Sequence, residues 1–293
     1  MKEDIEKKIE IRNIEKAYEF LISSGQGQDI TIRDNEFDFS WVLDSVKRCR
    51  KKGFRFRLID SGQLDLCQLE WLALSGADLY VSDQTRSEFF GLDLLSKSCK
   101  KSDSLLAYFH QGLLEESKSE VKSQSLTFSE ILHLGRNGAY IYVTNRERAR
   151  DFFQLENLAY ICQKGGSWLV YYHYGQLDPS LERLGRNGAW IHITEQSLQE
   201  EKDKALIFET VRSMRAVKAK LVLHVGREFD YSFLRDIFKI GAALIFESPL
   251  FDYRSSLRNL ERQARQRNCL FEKRIGSSSA SYGCILSISR SKR

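Results

Sequence analysis

The amino-acid sequence predicts an α/β protein with a TIM-barrel-like (β/α)8 fold, built from repeated βαβα units. The barrel is either regular, or distorted or extended by extra strands. Strand-like and helical segments alternate along nearly the whole chain with short connections, as in a parallel sheet with crossover helices. The chain also repeats itself, because LGRNGAYIYVTN at Leu134–Asn145 returns as LGRNGAWIHITE at Leu184–Glu195. An open βα solenoid, in which each repeat contacts only its neighbours, is the alternative.

The repeat extends over most of the sequence, with weaker copies at Leu74–Asp83 and Ile240–Ser248. In each copy a helix ends, a glycine turn follows and a strand begins. The copies are roughly fifty residues apart, which is enough for two strands and two helices and is typical of a duplicated supersecondary unit. Four such units supply eight strands, the number that closes a parallel barrel without edges. We interpret the Asn-Gly pair of the two clear copies as the left-handed end of a helix.

The elements can be assigned in chain order. The segment 1–28 is predicted to be an N-terminal helical segment, because its apolar residues recur at helical spacing. Residues 29–293 then form a single barrel domain, since no break in composition divides them. Cys284–Ser289 is a candidate extra strand, and the polar stretch 113–125 is predicted to be a mobile insertion. Nine segments have the patterns of strands: Asp29–Asp34, Phe54–Asp60, Asp78–Asp83, Leu105–His110, Tyr140–Asn145, Trp168–His173, Trp190–Glu195, Leu221–His224 and Ala243–Glu247.

Composition limits the class of protein. The 293 residues are 42% hydrophobic and carry a net charge of +5, which is ample for a large core and does not require a nucleic-acid partner. Six cysteines without CxxC or metal-finger spacing predict reduced thiols. The N-terminus lacks an apolar signal segment, and no apolar run approaches the roughly 20 residues that cross a bilayer. We therefore expect a cytoplasmic protein without membrane contact.

Four strand ends share the motif D/H-x-G. The C-terminal edge of the strands, where these motifs fall, is where parallel α/β proteins bind ligands. Carboxylate and imidazole groups on one rim of a closed barrel would suit a divalent metal such as zinc, with Glu195 or Glu247 as general base. The alternative is that each histidine only hydrogen-bonds a loop. The predicted metal ligands are Asp60, His110, His173 and His224, and the motif glycines are Gly62, Gly112, Gly175 and Gly226.

The motif glycines have two interpretations. They would bring backbone N–H groups close to a phosphate, or they fill turns that need a positive φ. The second strands of the repeats end in polar residues, and of these Asp83 and Asn145 are further ligand-binding candidates. One face of these strands is aliphatic, whereas the other carries Tyr, Trp, His and Thr. We expect the aliphatic face to pack on helices and the other face to form either a binding surface for a small polar molecule or ordinary core layers.

The leading functional hypothesis is a small-molecule site at the C-terminal strand edge, with metal-assisted hydrolase- or lyase-type chemistry on a polar or phosphorylated substrate. The insertion 113–125 directly follows Gly112 and would be placed to act as a lid. Motifs of P-loop, Rossmann and serine-hydrolase proteins are absent, and so is any complete catalytic constellation. A non-catalytic barrel or scaffold that binds a protein partner is therefore the second hypothesis.

A nucleic-acid accessory protein is the third hypothesis. It would use the basic segments Lys47–Lys52 and Arg254–Arg267 and the C-terminal SRSKR. The basic segments are explained more simply as helix ends and solvated helix faces. We therefore expect a small polar or anionic ligand as the partner, rather than nucleic acid or a membrane, and the sequence does not specify an oligomeric state.

Overall fold

The computed structural model describes residues 30–112, 114, 126–146, 148–198, 200–225, 230–246, 258–260, 262–263 and 271–273. Strands and helices alternate along this part of the chain. The strands are β1 (Ile30–Arg33), β2 (Phe56–Ile59), β3 (Ala77–Ser82), β4 (Leu106–His110), β5 (Tyr140–Thr144), β6 (Leu169–Tyr172), β7 (Trp190–Thr194), β8 (Leu221–Val225), β9 (Ala243–Phe246) and β10 (Phe271–Lys273). The helices are α1 (Phe39–Lys51), α2 (Leu66–Ser75), α3 (Phe89–Ser102), α4 (Phe128–Arg136), α5 (Phe152–Gly165), α6 (Ser180–Arg186), α7 (Glu201–Met214) and α8 (Tyr231–Ile240).

Two compact units can be distinguished in the chain. Unit 1 comprises Met1–Val143 and Ile161–Trp168, and unit 2 comprises Thr144–Tyr160 and Leu169–Arg293. In unit 1 the strands β1 to β5 pair in parallel with their neighbours in chain order. In unit 2 the strands β6 to β10 do the same. The predicted α/β architecture, with the strand order of a (β/α)8 fold, is therefore confirmed. The single barrel domain over 29–293 stays a prediction.

The two faces of the sheet differ in chemistry. Right-handed crossovers between neighbouring parallel strands place the helices on one face, which we call the helix-covered face. In unit 2 this face carries Tyr171, whose ring lies 6.2 Å from that of Phe152 in α5, and the isoleucines of β7. The opposite face, which we call the second face, carries Tyr172, Trp190 and His192. The predicted division into an aliphatic and an aromatic, polar face is confirmed for β7.

Helix α8 illustrates how local sequence sets an element. Asp230 precedes its first turn and accepts a hydrogen bond from the backbone N–H of Phe233 at 3.2 Å, as N-cap residues do. The apolar residues recur every three or four positions, so that one stripe of the helix is buried against the sheet. The buried residues of this stripe are Phe233, Leu234, Ile237 and Phe238.

The repeated LGRNGA motif uses its two glycines for different purposes. The second glycine, Gly138 or Gly188, has a φ of 102° or 99° just after α4 or α6, which confirms the predicted left-handed helix end. The first glycine lets two helices approach closely. A Cβ atom on Gly135 would lie 2.6 Å from Sγ of Cys162, and one on Gly185 would meet a side chain of α7 at the same distance. This helix–helix role was not predicted from the sequence.

The nine predicted strands are present as β1 to β9, whereas β10 was not predicted. The N-terminal segment 1–28, the candidate strand Cys284–Ser289 and the insertion 113–125 apart from Leu114 lie outside the described residues. Among the helices that the structure describes, none combines the length and apolar character that a membrane span requires.

Candidate functional site

A polar residue directly after β1 holds the turn that follows the neighbouring strand β2. The carboxylate of Asp34 accepts hydrogen bonds from the backbone N–H groups of Ser61 at 2.8 Å and of Gln63 and Leu64 at 3.3 Å. Backbone N–H groups in a partly buried turn need such acceptors, because an unpaired one is costly to bury. The side chain of Asp34 therefore fixes the end of β2 in place.

The same arrangement recurs after β3 and β5. Asp83 Oδ2 accepts hydrogen bonds from the N–H groups of Gln111 and Gly112, at 2.7 and 2.9 Å. Asn145 Oδ1 accepts one from the N–H of Tyr174 at 2.7 Å, and its Nδ2 donates to the Tyr174 carbonyl at 3.0 Å. Two candidate ligand-binding residues thus each support a turn, and their binding of a ligand stays a prediction. We call three residues the clamp residues: Asp34, Asp83 and Asn145.

Asp60, a predicted metal ligand, lies in a buried ion pair. Arg86 donates from Nε to Oδ2 at 2.9 Å and from a terminal nitrogen to Oδ1 at 2.8 Å, and the N–H of Gly62 donates to Oδ1 at 3.2 Å. The hydrogen bond with Asp60 raises the pKa of Arg86 above its usual value. A guanidinium fork that binds both oxygens neutralises the carboxylate. A metal ion at Asp60 would therefore have to displace Arg86.

The turn glycines favour the conformational interpretation. Gly62 and Gly175 have φ values of 89° and 90°, in the left-handed region that glycine adopts without strain. Gly112 donates its N–H to the clamp residue Asp83. Gly226 lies outside the described residues. Phosphate binding by these glycines stays a prediction.

His110 is buried beside the clamp residue Asp83. Its Nδ1 lies 3.5 Å from Asp83 Oδ2, and its ring stacks on that of Tyr108 with 6.2 Å between ring centroids. Tyr108 and His110 are two residues apart in β4, so their side chains point to the same face of the sheet. Unit 1 therefore contains a buried polar cluster formed by Asp83, Tyr108 and His110.

His173 forms a hydrogen bond to a loop in unit 2, the role that the sequence offers as the alternative to metal binding for the motif histidines. Its Nε2 lies 2.8 Å from the carbonyl oxygen of Gln176, which only accepts hydrogen bonds, so Nε2 carries the proton. Nδ1 is then the acceptor for Asn145 Nδ2 at 3.5 Å and the hydroxyl of Tyr171 at 3.4 Å. Burial lowers the pKa of His173 below its usual value, which keeps the ring neutral at pH 7.

We expect the buried, neutral His173 to make the free energy of unfolding fall as the pH drops below about 6.5, the ordinary pKa of histidine. In that range the unfolded chain takes up a proton at this residue and the folded chain does not, so protonation favours unfolding. The His173→Gln variant keeps a donor for the Gln176 carbonyl and should lose part of this pH dependence in urea denaturation. The exposed His133→Gln variant should keep it, and an unchanged profile for His173→Gln contradicts the assignment.

His224 points to the opposite face from His173. His173 follows Tyr171 by two residues and therefore shares its helix-covered face. Thr194 pairs with His224, so both residues lie on the second face together with His192. The structure does not bring His173 and His224 together.

In the fourth repeat, the motif histidine does not lie opposite the polar residue that follows the neighbouring strand, as it does in the second repeat. The two are offset by one residue. In the second repeat, the backbone N–H of Asp83 donates to the carbonyl of Phe109, the residue before His110. Asp83 therefore lies beside His110. In the fourth repeat the corresponding residue after β7 is Glu195, and the pairing of Thr194 with His224 places it beside Val225. A shift of one residue along a strand moves a side chain to the other face, because strands have a period of two.

The second face of unit 2 carries a pair of histidines. His192 Nδ1 and His224 Nε2 lie 2.9 Å apart, and both side chains are buried. The ring of Tyr172 lies 4.3 Å from that of His192 and 6.3 Å from that of His224, measured between centroids. Tyr172 and Thr194 are half-buried beside the pair. His192 was not predicted as a site residue, although it lies on the polar, aromatic face of β7.

The short distance within the histidine pair restricts its protonation. A hydrogen bond between Nδ1 of His192 and Nε2 of His224 needs one nitrogen that donates and one that accepts. If both rings were protonated, both nitrogens would be donors and the bond would be lost. The pair therefore carries at most one positive charge while this bond exists, and a proton can pass from one ring to the other.

The predicted metal site stays a prediction. Within the ranges that the structure describes, no group of three or more His, Cys, Asp or Glu side chains is placed to hold a metal ion. Glu195 starts a short 3-10 turn, Glu195–Ser197, directly after β7. Glu247, the other predicted general base, lies outside the described residues.

The basic segment Lys47–Lys52 ends helix α1. Arg50 donates to the carbonyl of Leu74 at 3.2 Å, and Arg48 lies 3.9 Å from Asp44 one turn earlier. Cations in the last turn of a helix complement its exposed carbonyl groups. These contacts match the simpler interpretation of the segment, whereas Arg254–Arg267 and the C-terminal SRSKR are almost wholly outside the described residues.

Comparison with known proteins leaves the family open. No protein-family model matches the chain, and no curated protein matches it. Among solved structures, the chain is similar to a mandelate racemase/muconate lactonizing protein from Herpetosiphon aurantiacus, with 12% identity and a TM-score of 0.33. That match covers 72% of this chain and 50% of the other, so this chain spans only half the length of that protein.

Two further similar structures align with this chain over a larger share of their own length. A putative phosphonomutase from Burkholderia cenocepacia is 12% identical, with 85% of this chain and 88% of that chain covered and a TM-score of 0.31. A deoxyribose phosphate aldolase from Aeropyrum pernix is 11% identical, with 81% and 89% covered and a TM-score of 0.31. Likenesses at this level do not indicate a shared function.

Proposed function

We propose that unit 2 binds a small polar or anionic molecule at the C-terminal edge of its second face and exchanges protons with it through the His192–His224 pair. The 2.9 Å hydrogen bond between two buried imidazoles, of which His224 lies one residue before the end of β8, is the observation that carries this proposal. The C-terminal ends of parallel strands are the usual place for ligands in α/β proteins. Histidine is also the side chain whose ordinary pKa is nearest to neutral pH.

We assign His224 as the general base. Its Nε2 faces His192, and in this proposal its Nδ1 is the atom that meets the ligand. When Nδ1 takes a proton from the ligand, the proton on Nε2 passes to Nδ1 of His192, and the positive charge moves to the second ring. Proton abstraction of this kind is used in both hydrolase- and lyase-type reactions, so the predicted reaction classes are retained. Glu195, Glu247 and the predicted divalent metal are not required for this step.

The side chains around the pair favour a small ligand with polar groups. The half-buried ring of Tyr172 offers a flat face, and the hydroxyl of Thr194 can donate or accept a hydrogen bond. A singly protonated histidine pair would attract a carboxylate or a phosphate. Tyr172, His192 and Thr194 belong to the strand face that carries Tyr, Trp, His and Thr. The sequence indicates this face as a candidate binding surface for a small polar molecule.

Proton NMR can test the proposal, because the chain has only five histidines and their ring signals form a small set. We expect pyruvate or ribose 5-phosphate to shift the His192 and His224 signals saturably, with the signals assigned by their loss in His192→Gln and His224→Gln. In D₂O the protein should accelerate exchange of the carbon-bound protons beside the carbonyl of the bound compound. His224→Gln should lower that rate by about 100-fold, the usual contribution of a general base.

His133→Gln is the matched control, since this histidine lies on α4 in unit 1, half exposed and near Asp93. This variant should leave both the ligand-induced shifts and the exchange rate unchanged. Full exchange activity in His224→Gln contradicts the assigned base. If neither compound shifts the His192 and His224 signals, the proposal that this pair binds a small polar or anionic molecule is wrong.

A further inference from the structure

The structure describes four aspartates in unit 1 with buried side chains, Asp34, Asp60, Asp78 and Asp83, and they differ in their partners. Asp34 accepts hydrogen bonds from three backbone N–H groups. Asp60 is paired with Arg86 through both oxygens, and Asp78 is paired with Arg55 at 2.8 and 2.9 Å. The side chain of Asp83 is only 9% exposed, yet among the described residues no Lys or Arg lies within 4 Å of it. Buried carboxylates are normally paired, because an isolated buried charge is costly.

One of the two carboxylate oxygens of Asp83, Oδ1, accepts no hydrogen bond from the described residues. Oδ2 accepts from the two turn N–H groups and lies near His110 Nδ1, whereas Oδ1 is buried with no hydrogen-bond partner in the part of the chain that the structure describes. An ionised carboxylate only accepts hydrogen bonds. A group that fits at Oδ1 must therefore donate.

Tyr108 is a second buried polar side chain beside His110, the histidine that lies next to Asp83. Its side chain is fully buried, and its hydroxyl has no hydrogen-bond partner among the described residues. Burial raises the pKa of Tyr108 well above its usual value, and the negative charges of Asp83 and Glu130 raise it further. The hydroxyl is therefore neutral and lies in a negative field, where it can accept a hydrogen bond from a cation.

Two further side chains act on Tyr108 and Asp83, namely Glu130 and His110. Glu130, at the start of α4, is engaged by the N–H and the hydroxyl of Thr127 at 2.8 and 3.0 Å. His110 approaches Asp83 on the Oδ2 side. A bare metal ion needs several oxygen ligands, whereas an ammonium ion binds through directed N–H donors, for which the carboxylate and the phenol oxygen are acceptors.

We propose that Asp83 Oδ1 and the Tyr108 hydroxyl form a binding site for an ammonium ion or another small protonated amine. The bound cation donates one hydrogen bond to the carboxylate and one to the phenol oxygen. Its charge does for Asp83 what Arg86 does for Asp60 and Arg55 does for Asp78. This site is in unit 1, and it does not rest on the function proposed for unit 2. A methylammonium ion also has enough N–H groups to form both hydrogen bonds. The shared chemistry is therefore that of a compact cation with N–H donors.

Thermal unfolding of the full chain tests the site. At neutral pH and constant ionic strength, the melting temperature should rise with ammonium chloride and saturate, relative to sodium chloride and to tetramethylammonium chloride, which has no N–H group. Nuclear Overhauser contacts between bound ammonium protons and the Tyr108 ring protons should appear under the same conditions. Equal melting temperatures in the three salts overturn the proposal.

Three variants localise the effect. Tyr108→Phe removes only the hydroxyl and should lose most of the ammonium-dependent rise without loss of stability in sodium chloride. Asp83→Asn keeps an oxygen for the turn N–H groups but removes the charge, and it should abolish the rise. Tyr142→Phe is the matched control, because Tyr142 pairs with Phe109 and lies on the second face of unit 1. A rise that survives in Asp83→Asn, or that disappears in Tyr142→Phe, contradicts the site.

Discussion

Replacing Arg86 with leucine is expected to lower the free energy of unfolding by about 3 kcal/mol, because the buried carboxylate of Asp60 loses its counter-charge. The side chain of Asp60 is 1% exposed and that of Arg86 is 20% exposed, so water reaches the pair only from the arginine side. Without Arg86 the carboxylate must either stay charged without a partner or take up a proton, and both cost free energy. Urea denaturation at pH 7 measures the loss.

The exposed ion pair of Lys97 with Asp93 supplies the control. Lys97 is 59% exposed and bonds Asp93 one helical turn away, so Lys97→Met should cost about 0.5 kcal/mol or less. The double variant Asp60→Asn/Arg86→Leu should recover part of the loss, since no unpaired charge remains. If Arg86→Leu costs no more than Lys97→Met, the pair is not a buried ion pair in solution.

Replacing Gly165 with alanine is the second change with a large expected effect. A Cβ atom at this position would overlap the carbonyl oxygen of Gly135 and lie 2.6 Å from the carbonyl oxygen of Arg136. Both obstacles are backbone atoms of α4, which cannot move aside as a flexible side chain does. Overpacking of this kind costs about 1–3 kcal/mol, and we expect a value of about 3 kcal/mol in denaturant unfolding because the helices must separate.

The neighbouring Gly166 provides a matched control. Its φ is 83°, and a Cβ atom there meets nothing within 4 Å. Gly166→Ala should therefore cost only the left-handed backbone strain, about 1 kcal/mol. If the two alanine variants are equally stable, the close approach of α4 and α5 is not a determinant of stability.

The fold was predictable because its signals are local. Alternating strand and helix patterns and the repeated glycine-to-strand boundary identified β1 to β9, and the left-handed glycines Gly138 and Gly188 followed from the Asn-Gly pair. β10 was not identified, since the three residues Phe271–Lys273 are too few to show a period. The close contact of Gly165 with Gly135 was not predictable either, because thirty residues separate the two glycines in the sequence and only packing brings them together.

The candidate site was predictable only in part, for physical reasons that differ between residues. The polar residues after the strands were found where they were expected, but Asp34, Asp83 and Asn145 support turns. The partner of Asp60, Arg86, lies 26 residues later in a connection, where no local pattern indicates it. His224 and His173 lie on opposite faces although they share the motif, because a motif defined by its glycine does not specify strand register.

The hydrogen bonds of the clamp residues have a further consequence for anion recognition. All four N–H groups of the turn from Ser61 to Leu64 are already occupied by carboxylates, three by Asp34 and one by Asp60. Each carboxylate is tethered to the same chain, so its effective concentration at the turn is far above that of a dissolved phosphate. The turn therefore carries its own internal anions, and a dissolved phosphate would have to displace both carboxylates to bind there.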